Sequence, residues 1–519
     1  MLEFCPYDFE PIDPNNLAYE AVFFGTEAGN KYTWEKVKEI VGMEKVPKYI
    51  AEKSKRRMKF FNIGENDVGA QALVGTPLIF RASNKIGGKS GLYQFIENFI
   101  ENSDGRNAIK SDEYDDEYDE YDDYDDEYSE NNCLKHKMEN GEDIFVDDMG
   151  TTIMKAIPCC PKCHNRLPVG WNKAEDFRAI ALMAPTTGGK TTFLYSMMHD
   201  NWKTLNALDT EGMGSMYITS AHWDDDLLYK QLKDAAEQMC KPQGNCPQHT
   251  NKTMRIPPIF FNLKYQKHLY DEEHSVIFGI YDNAGEILSM MSPNDPRIHN
   301  LLDKMSTAMF LFDPKDLNIT LPEKLTNIKQ NLKECRVLSS KEQGEFQVAN
   351  SGKVKSAQDL LKEFWREPEK KEKKPMGIYT NYTSLVINRG LLRKLQQMHF
   401  LGILVKSDLL RQTEAVKNAN GKYDTLFDAN NNNGMLDISA IFNRSSMVEE
   451  MIGDFRLFGD YDLDRIQTNF GEVSWHCISA LGCDAELGGN LLGEYNPIRV
   501  AEPIALCILR LLQEKGWLK

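Results

Sequence analysis

Residues 184–191 read Ala-Pro-Thr-Thr-Gly-Gly-Lys-Thr, an arrangement suited to holding a chain of phosphates. Gly188 and Gly189 let the backbone bend so that its N–H groups point into the loop and cradle phosphate oxygens. The apolar run RAIALM enters the loop and the helical stretch TTFLYSMMHD leaves it. The helix therefore adds its positive N-terminal dipole to the same place. Lys190 is placed to neutralise β- and γ-phosphate oxygens, and the Thr191 hydroxyl to bind Mg²⁺. Thr187 and Thr192 complete the set of residues expected around the phosphates. A Gly-rich turn before a helix would be the plainer reading, and the segments that follow argue against it.

Three further segments occur in a fixed order, each after an apolar run. SVIFGIYD (275–282) ends in Asp282, with Gly285 three residues on and Glu286 behind it. An Asp at a strand tip can hold the Mg²⁺ hydration shell, and the Gly N–H can bond the terminal phosphate and so sense its loss. HFLGILVKSD (399–408) ends in Lys406-Ser407-Asp408. This resembles the Asn/Thr-Lys-x-Asp segment of Ras-like and translation-factor GTPases, which implies a carboxylate that accepts from guanine N1–H and the exocyclic amine while the Lys stem packs over the base; adenine offers no matching pair of donors. EVSWHCISA (472–480) ends in Ser479-Ala480 and is followed by Leu481, a segment that resembles the Ser-Ala-Lys/Leu motif of GTPases, whose backbone contacts guanine O6. A further Thr is needed to complete the Mg²⁺ shell before the run PIFFNLKY (258–265); Thr253 is the choice and Thr250 the alternative.

A second chemistry is written in the cysteines. Cys160-Pro-Lys-Cys163 has the spacing of a zinc knuckle, and Cys133-Leu-Lys-His136 repeats it. Cys5, with Asp8 at the same spacing, is a third half-site. A structural Zn²⁺ ribbon is the main reading, with Cys160 and Cys163 as ligands and the remaining pair drawn from Cys133, His136 and Cys5. Free or buried thiols are the alternative. A redox pair is disfavoured because no thioredoxin-like strand–helix context surrounds it. The Asn-rich stretch 428–437 has the wrong ligand register for a Ca²⁺ loop.

Residues 178–485, with these four motifs, resemble a TRAFAC-type P-loop GTPase domain. The resemblance implies an α/β, Ras-like, mostly parallel sheet of about six strands, all parallel but one, with helices on both faces. It also implies GTP and Mg²⁺ as ligands, and Lys190, Thr191, Asp282, Gly285, Lys406, Asp408 and Ser479–Ala480 as nucleotide residues. The N-terminal Cys-Pro-Tyr, the CPKCHNRLP stretch and the closing RVAEPIALCILRLL resemble bacterial zinc-ribbon-fused GTPases of conflict (defence) systems. This chain departs from the family at four places, the first being Ala184 in place of the usual first Gly of the phosphate loop. Val405 stands where relatives carry Asn or Thr, Glu286 where many carry a water-orienting Gln, and Thr186 and Thr187 where some keep Gly. Glu286 is either a water-positioning carboxylate or a turn residue. Slow hydrolysis, stimulated by a partner, is the expectation, with Lys190, Glu286 and Thr253 as catalytic candidates. A P-loop ATPase and an interaction scaffold with a structural nucleotide are the alternatives.

The elements that must position these residues follow the same pattern. From about residue 175, near-continuous apolar runs alternate with helical stretches, as expected of a parallel sheet covered on both faces. Residues 503–518 read as an amphipathic closing helix. The expected organisation is 1–110 and 133–172 as the parts of a small zinc-ribbon-like module, and 175–519 as the GTPase domain, with insertions at about 315–395 and 410–470. Residues 112–130 hold 13 acidic residues and no basic ones, a composition expected to be disordered. That tract supplies most of the net charge of −17 and the rest of the chain is nearly neutral, so global charge says little about partners; nucleic acid is not indicated by any motif. A protein partner is expected through the insertions, the zinc module or the acidic tract. No apolar run reaches membrane-span length, the start lacks a secretory signal pattern, and the chain is expected to be cytoplasmic with reduced thiols.

Overall fold

The computed structural model describes residues 2–24, 32, 34–41, 55–61, 63, 78–81, 135–139, 142–146, 152–184, 189–199, 205–206, 214–241, 244, 257–268, 271–282, 302–321, 377–388, 392–428, 437–459, 461–483, 490–491 and 493–517. Two sheets organise them. The first contains β1 (Ala18–Phe23), β2 (Leu78–Arg81), β3 (Lys135–Glu139), β4 (Glu142–Val146) and β5 (Thr152–Cys159), in the order β2-β1-β5-β4-β3. Every pairing in it is antiparallel.

The second sheet has seven strands: β6 (Asp176–Met183), β7 (Ser215–Ser220), β8 (Ile259–Gln266), β9 (His274–Tyr281), β10 (Met305–Phe312), β11 (His399–Leu404) and β12 (Glu472–Cys477). Their order is β12-β11-β10-β6-β9-β8-β7. β6 pairs parallel with β9, and β11 parallel with both β10 and β12. β8 runs antiparallel to β9 and to β7. Six of the strands coincide with the apolar runs expected to form them. Five of them are buried along nearly their whole length, β11 at every position, as strands covered on both faces must be, whereas β12 is buried only over its last three residues. β7 is an addition to the expected six. The mostly parallel sheet with its helices fits a P-loop NTPase-like fold. In open α/β sheets, ligand crevices lie outside the carboxyl end of the strand at which the order reverses, and here that strand is β6.

By contacts the chain divides into two compact units. One comprises Met1–Ala181, Thr210–Ala235 and Thr250–Ser306; the other comprises Leu182–Asp209, Ala236–His249 and Thr307–Lys519. The core of the second unit is aromatic. Trp475 of β12 is 1 % exposed and packs on Phe312, Phe400 and Phe458, with ring centroids 5.4–5.9 Å away. Its strand partner is Gly402, and a Cβ there would lie 2.2 Å from the indole ring. Gly402 is therefore a packing residue, and any side chain there collides with the largest core ring.

The closing helix spans Glu502–Glu514 and is buried at every position from Glu502 to Leu509, on all sides rather than on the single face expected of an amphipathic helix. Its first residue, Glu502, is 1 % exposed and accepts from Arg444 Nη2 at 2.7 Å and Arg499 Nη1 at 2.8 Å, with His476 Nδ1 3.8 Å away. Burial pushes the Glu502 carboxyl up, but His476, Arg499 and Arg444 together draw it down to about 2. A carboxyl held low in the folded state stabilises that state above its ordinary value of 4.5; the stabilisation is lost as pH falls toward the folded value. At neutral pH the wild type is expected to exceed Glu502→Gln by on the order of 3 kcal/mol. That gap should close between about pH 5 and pH 2 in denaturant unfolding curves. A gap that stays constant with pH would mean that Glu502 is not held by charge.

Candidate nucleotide and metal sites

β6 ends at Met183, and the loop Ala184–Lys190 leads into the helix Lys190–His199. Gly189 has φ +78°, a left-handed conformation that any side chain would strain. Its carbonyl accepts from Phe193 N at 2.8 Å, closing the helix's first turn behind it. Lys190 Nζ donates to the Ala184 carbonyl at 3.2 Å. The ammonium thus ties the residue after β6 to the start of the helix. Thr191 and Thr192 are half-buried on the first helical turn, and Phe193, Leu194, Met197 and Met198 bury the helix face beneath them. Thr187 and Gly188 lie outside the described residues.

The expected base-binding residues come together in the same unit. β11 and β12 are parallel, with Leu404 opposite Cys477, so their carboxyl ends lie side by side. Beyond them, Ser407 N bonds the Ile478 carbonyl at 2.9 Å. Lys406 takes φ 56°, ψ 47°, a left-handed turn at the start of the short helix Ser407–Arg411. Ser479 Oγ donates to Asp408 Oδ1 at 2.5 Å and accepts from Gly482 N at 3.0 Å. Ser479 itself is anchored through both backbone groups to Ile498. Asp408 and Ser479 therefore form one braced unit, and Ala480 and Leu481 follow it half-buried.

The missing Asn or Thr at Val405 is compensated by other bonds. Val405 is buried and donates its N–H to the Phe312 carbonyl at 3.1 Å. Lys406 Nζ pairs with Asp313 Oδ2 at the end of β10, while Asp313 Oδ1 accepts from Lys315 N at 3.0 Å and caps the turn Pro314–Asp316. Asp313 is the site residue that sequence reading missed. Its signal was an Asp-Pro pair directly after an apolar strand, but nothing local reveals its pairing with Lys406.

In the other unit, Asp282 stands 5 % exposed directly after β9, whose last residue Tyr281 pairs with Ala181 of β6. Gly285, Glu286, Thr250 and Thr253 lie outside the described residues.

The same unit holds the metal-capable cluster. Cys5, Asp8, Cys160 and Cys163 each offer a ligand atom, all within 4.8 Å of one another. Cys5 and Cys163 sulfurs are 3.6 Å apart, and Cys160 Sγ is 3.9 Å from Asp8 Oδ2. Tetrahedral Zn²⁺ with bonds of about 2.3 Å to sulfur spaces its ligands by about 3.8 Å. The donor set fits such an ion. Hydrogen bonds from Cys163 and Cys5 draw the Cys160 thiol down to about 3, whereas burial first of all holds Cys5 and Cys163 well above the usual thiol range. Burial, and then the charge on Cys160, push Asp8 up to about 6. A cation would take the place of the protons these groups share.

Cys133 lies outside the described residues, as does the side chain of His136 on β3. Cys159, next in the chain to Cys160, is not in the cluster. Burial raises its thiol to about 12.

Charge fixes the cluster's setting. Arg57 Nε donates to the His164 carbonyl at 2.8 Å, and Arg56 Nη1 to the Pro161 carbonyl at 3.0 Å. Arg57 and Arg166 both bond Glu20 of β1, and Arg166 continues to Asp225. Burial pushes the Glu20 carboxyl up, but the two guanidinium groups overturn this and hold it far below the usual carboxylate range. Tyr281 Oη donates to the Pro6 carbonyl at 2.5 Å, linking the Cys5–Asp8 turn to the last residue of β9.

Among the described residues no helix is long and apolar enough to cross a membrane. No protein-family model matches the chain, and no curated protein matches it. Among solved structures it is similar to a chain of the "Signal recognition particle receptor SRb-GTP/SRX complex from Chaetomium thermophilum", at 11 % identity over 59 % of this chain and 92 % of that one, with a TM-score of 0.21. A TM-score that low establishes nothing about function; the fold assignment rests on strand order and on the loops at the strand ends.

Proposed function

We propose that this chain is a Mg²⁺-dependent GTP-binding protein that hydrolyses GTP slowly and acts as a nucleotide-dependent switch. The observation that carries the reading is the braced Asp408–Ser479 pair at the carboxyl ends of two adjacent parallel strands, in the same unit as the Lys190 loop. A fixed carboxylate at such a position matches the two donors on guanine's edge and has nothing to pair with on adenine. Lys190 and the amides around Gly189 take the β- and γ-phosphates, Thr191 ligates Mg²⁺, Lys406 covers the base and the Ala480 amide meets O6. The order of the motifs assigns Asp282 and Gly285 to the Mg²⁺ shell and the terminal phosphate, with Thr253 completing the shell. Glu286, where a neutral water-orienting amide would serve better, brings a negative charge beside the γ-phosphate. Unaided turnover below about one per minute is the expected result. A protein partner that supplies positive charge would raise it, and a bacterial defence or signalling system is the setting the family resemblance suggests. Zn²⁺ is the metal assigned to the cysteine cluster, with a structural role.

Competition against a labelled guanine nucleotide tests the reading. GTP should displace the label at least about 100-fold more effectively than ATP. Equal displacement by both would remove the guanine assignment and leave an ATPase. Displacement by neither, with zinc still bound, would leave the scaffold.

A further inference from the structure

The two halves of the metal cluster are built to one plan. Both begin Cys-Pro, Cys5-Pro6 and Cys160-Pro161. Cys5 N bonds the Glu10 carbonyl at 2.8 Å, and Cys160 N bonds the Asn165 carbonyl at 2.9 Å. Phe9 N returns to the Cys5 carbonyl at 2.8 Å, and His164 N to the Cys160 carbonyl at 2.9 Å. Phe9 and His164 take the same left-handed conformation, φ 55° and 61°. Outside these turns, Ile12 N bonds Glu3 O and Leu167 N bonds Pro158 O, both at 2.8 Å, and the bridges Phe4–Pro11 and Cys159–Arg166 close the bases. The sulfurs are also approached alike, Tyr7 N lying 3.4 Å from Cys5 Sγ and Lys162 N 3.3 Å from Cys160 Sγ.

Of the two metal-facing positions in this paired frame, the first is Cys in both turns and the second differs. Where the second turn places Cys163, the first places Asp8. Cys163 Sγ accepts from Asn165 Nδ2 at 3.4 Å, and Asp8 Oδ1 accepts from Glu10 N at 3.1 Å. Such outer donors orient metal ligands and are part of a working site. Asp8 Oδ2 is the carboxylate oxygen facing Cys160.

We infer that Asp8 is the fourth ligand of a Zn²⁺-class ion held by Cys5, Cys160 and Cys163, so that the centre has three sulfurs and one oxygen rather than four sulfurs. This rests on the zinc reading above and gives it a definite ligand set, in which neither Cys133 nor His136 takes part. A carboxylate is a harder and weaker partner for a thiophilic ion than a thiolate. The Asp8 bond is therefore the one that opens first, and replacing it by sulfur tightens the site.

The test uses the full-length chain purified under reducing conditions, with Zn²⁺ content measured and Co²⁺ exchanged in as a spectroscopic probe. Wild type is expected to hold about one ion per chain. Asp8→Cys should raise the near-ultraviolet sulfur-to-cobalt absorption in a ratio of about four to three, and slow metal loss to a chelator. Asp8→Ala should speed that loss by about tenfold or more. Should Asp8→Ala fail to fold, Asp8→Cys decides the question alone. Metal bound with a spectrum and release rate indifferent to Asp8→Cys would overturn the ligand assignment while leaving the zinc site standing. Wild type that takes up neither Zn²⁺ nor Co²⁺ would remove the site itself.

Discussion

Asp408→Asn is expected to reverse the base preference of this chain, losing GTP and gaining xanthosine triphosphate. The wild-type carboxylate presents acceptors only, and guanine's edge presents two donors, N1–H and the exocyclic amine. Asn keeps one acceptor but turns an NH₂ toward the guanine amine, setting donor against donor in a buried contact. Xanthine keeps N1–H and carries a carbonyl in place of the amine, so the amide matches it at both positions. The bracing survives the exchange, because the Ser479 hydroxyl that donates to Asp408 Oδ1 can rotate and accept instead. Sites that leave a buried polar group unmatched reject the wrong ligand by roughly 10⁴. A relative shift of about that size between the two nucleotides is therefore expected in competition binding. GTP affinity within about threefold of wild type would show that Asp408 does not face the base.

The residues behind that prediction were legible in sequence because each follows an apolar run that ends buried. RAIALM, SVIFGIYD and HFLGILV are continuous apolar runs, and a run of that kind fixes both the strand and the position of the polar residue that ends it. β7 was not legible for the opposite reason. Its burial alternates, with only Met216 and Ile218 covered, and six residues of weak alternation do not stand out from a loop. The five-stranded antiparallel sheet escaped in the same way. Its members β2, β3 and β4 are only four or five residues long. Contacts between distant segments were hidden altogether. Nothing near Asp313 shows that it pairs with Lys406, nor near Glu20 that Arg57 and Arg166 converge on it. Asp8 lies between these cases. Its spacing from Cys5 was visible, but a carboxylate in place of a thiol is recognisable as an equivalent only when the two turns are compared bond by bond.

Lys190→Ala is expected to remove nucleotide binding while leaving the fold intact. Among the described residues the Lys190 ammonium makes one hydrogen bond, to the Ala184 carbonyl, and it sits half-buried. Removing such a bond costs a folded protein about 1 kcal/mol at most, and Ala favours the helix that begins there. Thermal unfolding should therefore change little. With triphosphate bound, the same ammonium faces two phosphate groups at hydrogen-bond range in a partly desolvated loop. A unit charge pair about 4 Å apart at an effective dielectric of 20 is worth about 4 kcal/mol. Loss of that interaction weakens binding by about a thousandfold. The loop amides and the helix dipole cannot make up the difference, since each contributes a fraction of a charge. Titration of a fluorescent GTP analogue, with and without Mg²⁺, reads the effect directly. A variant that still binds within about tenfold of wild type would show that residues 184–191 do not hold the phosphates. A GTP affinity that collapses together with the unfolding temperature would show instead that the lysine holds the loop, and the switch reading would then have to rest on Asp408 alone.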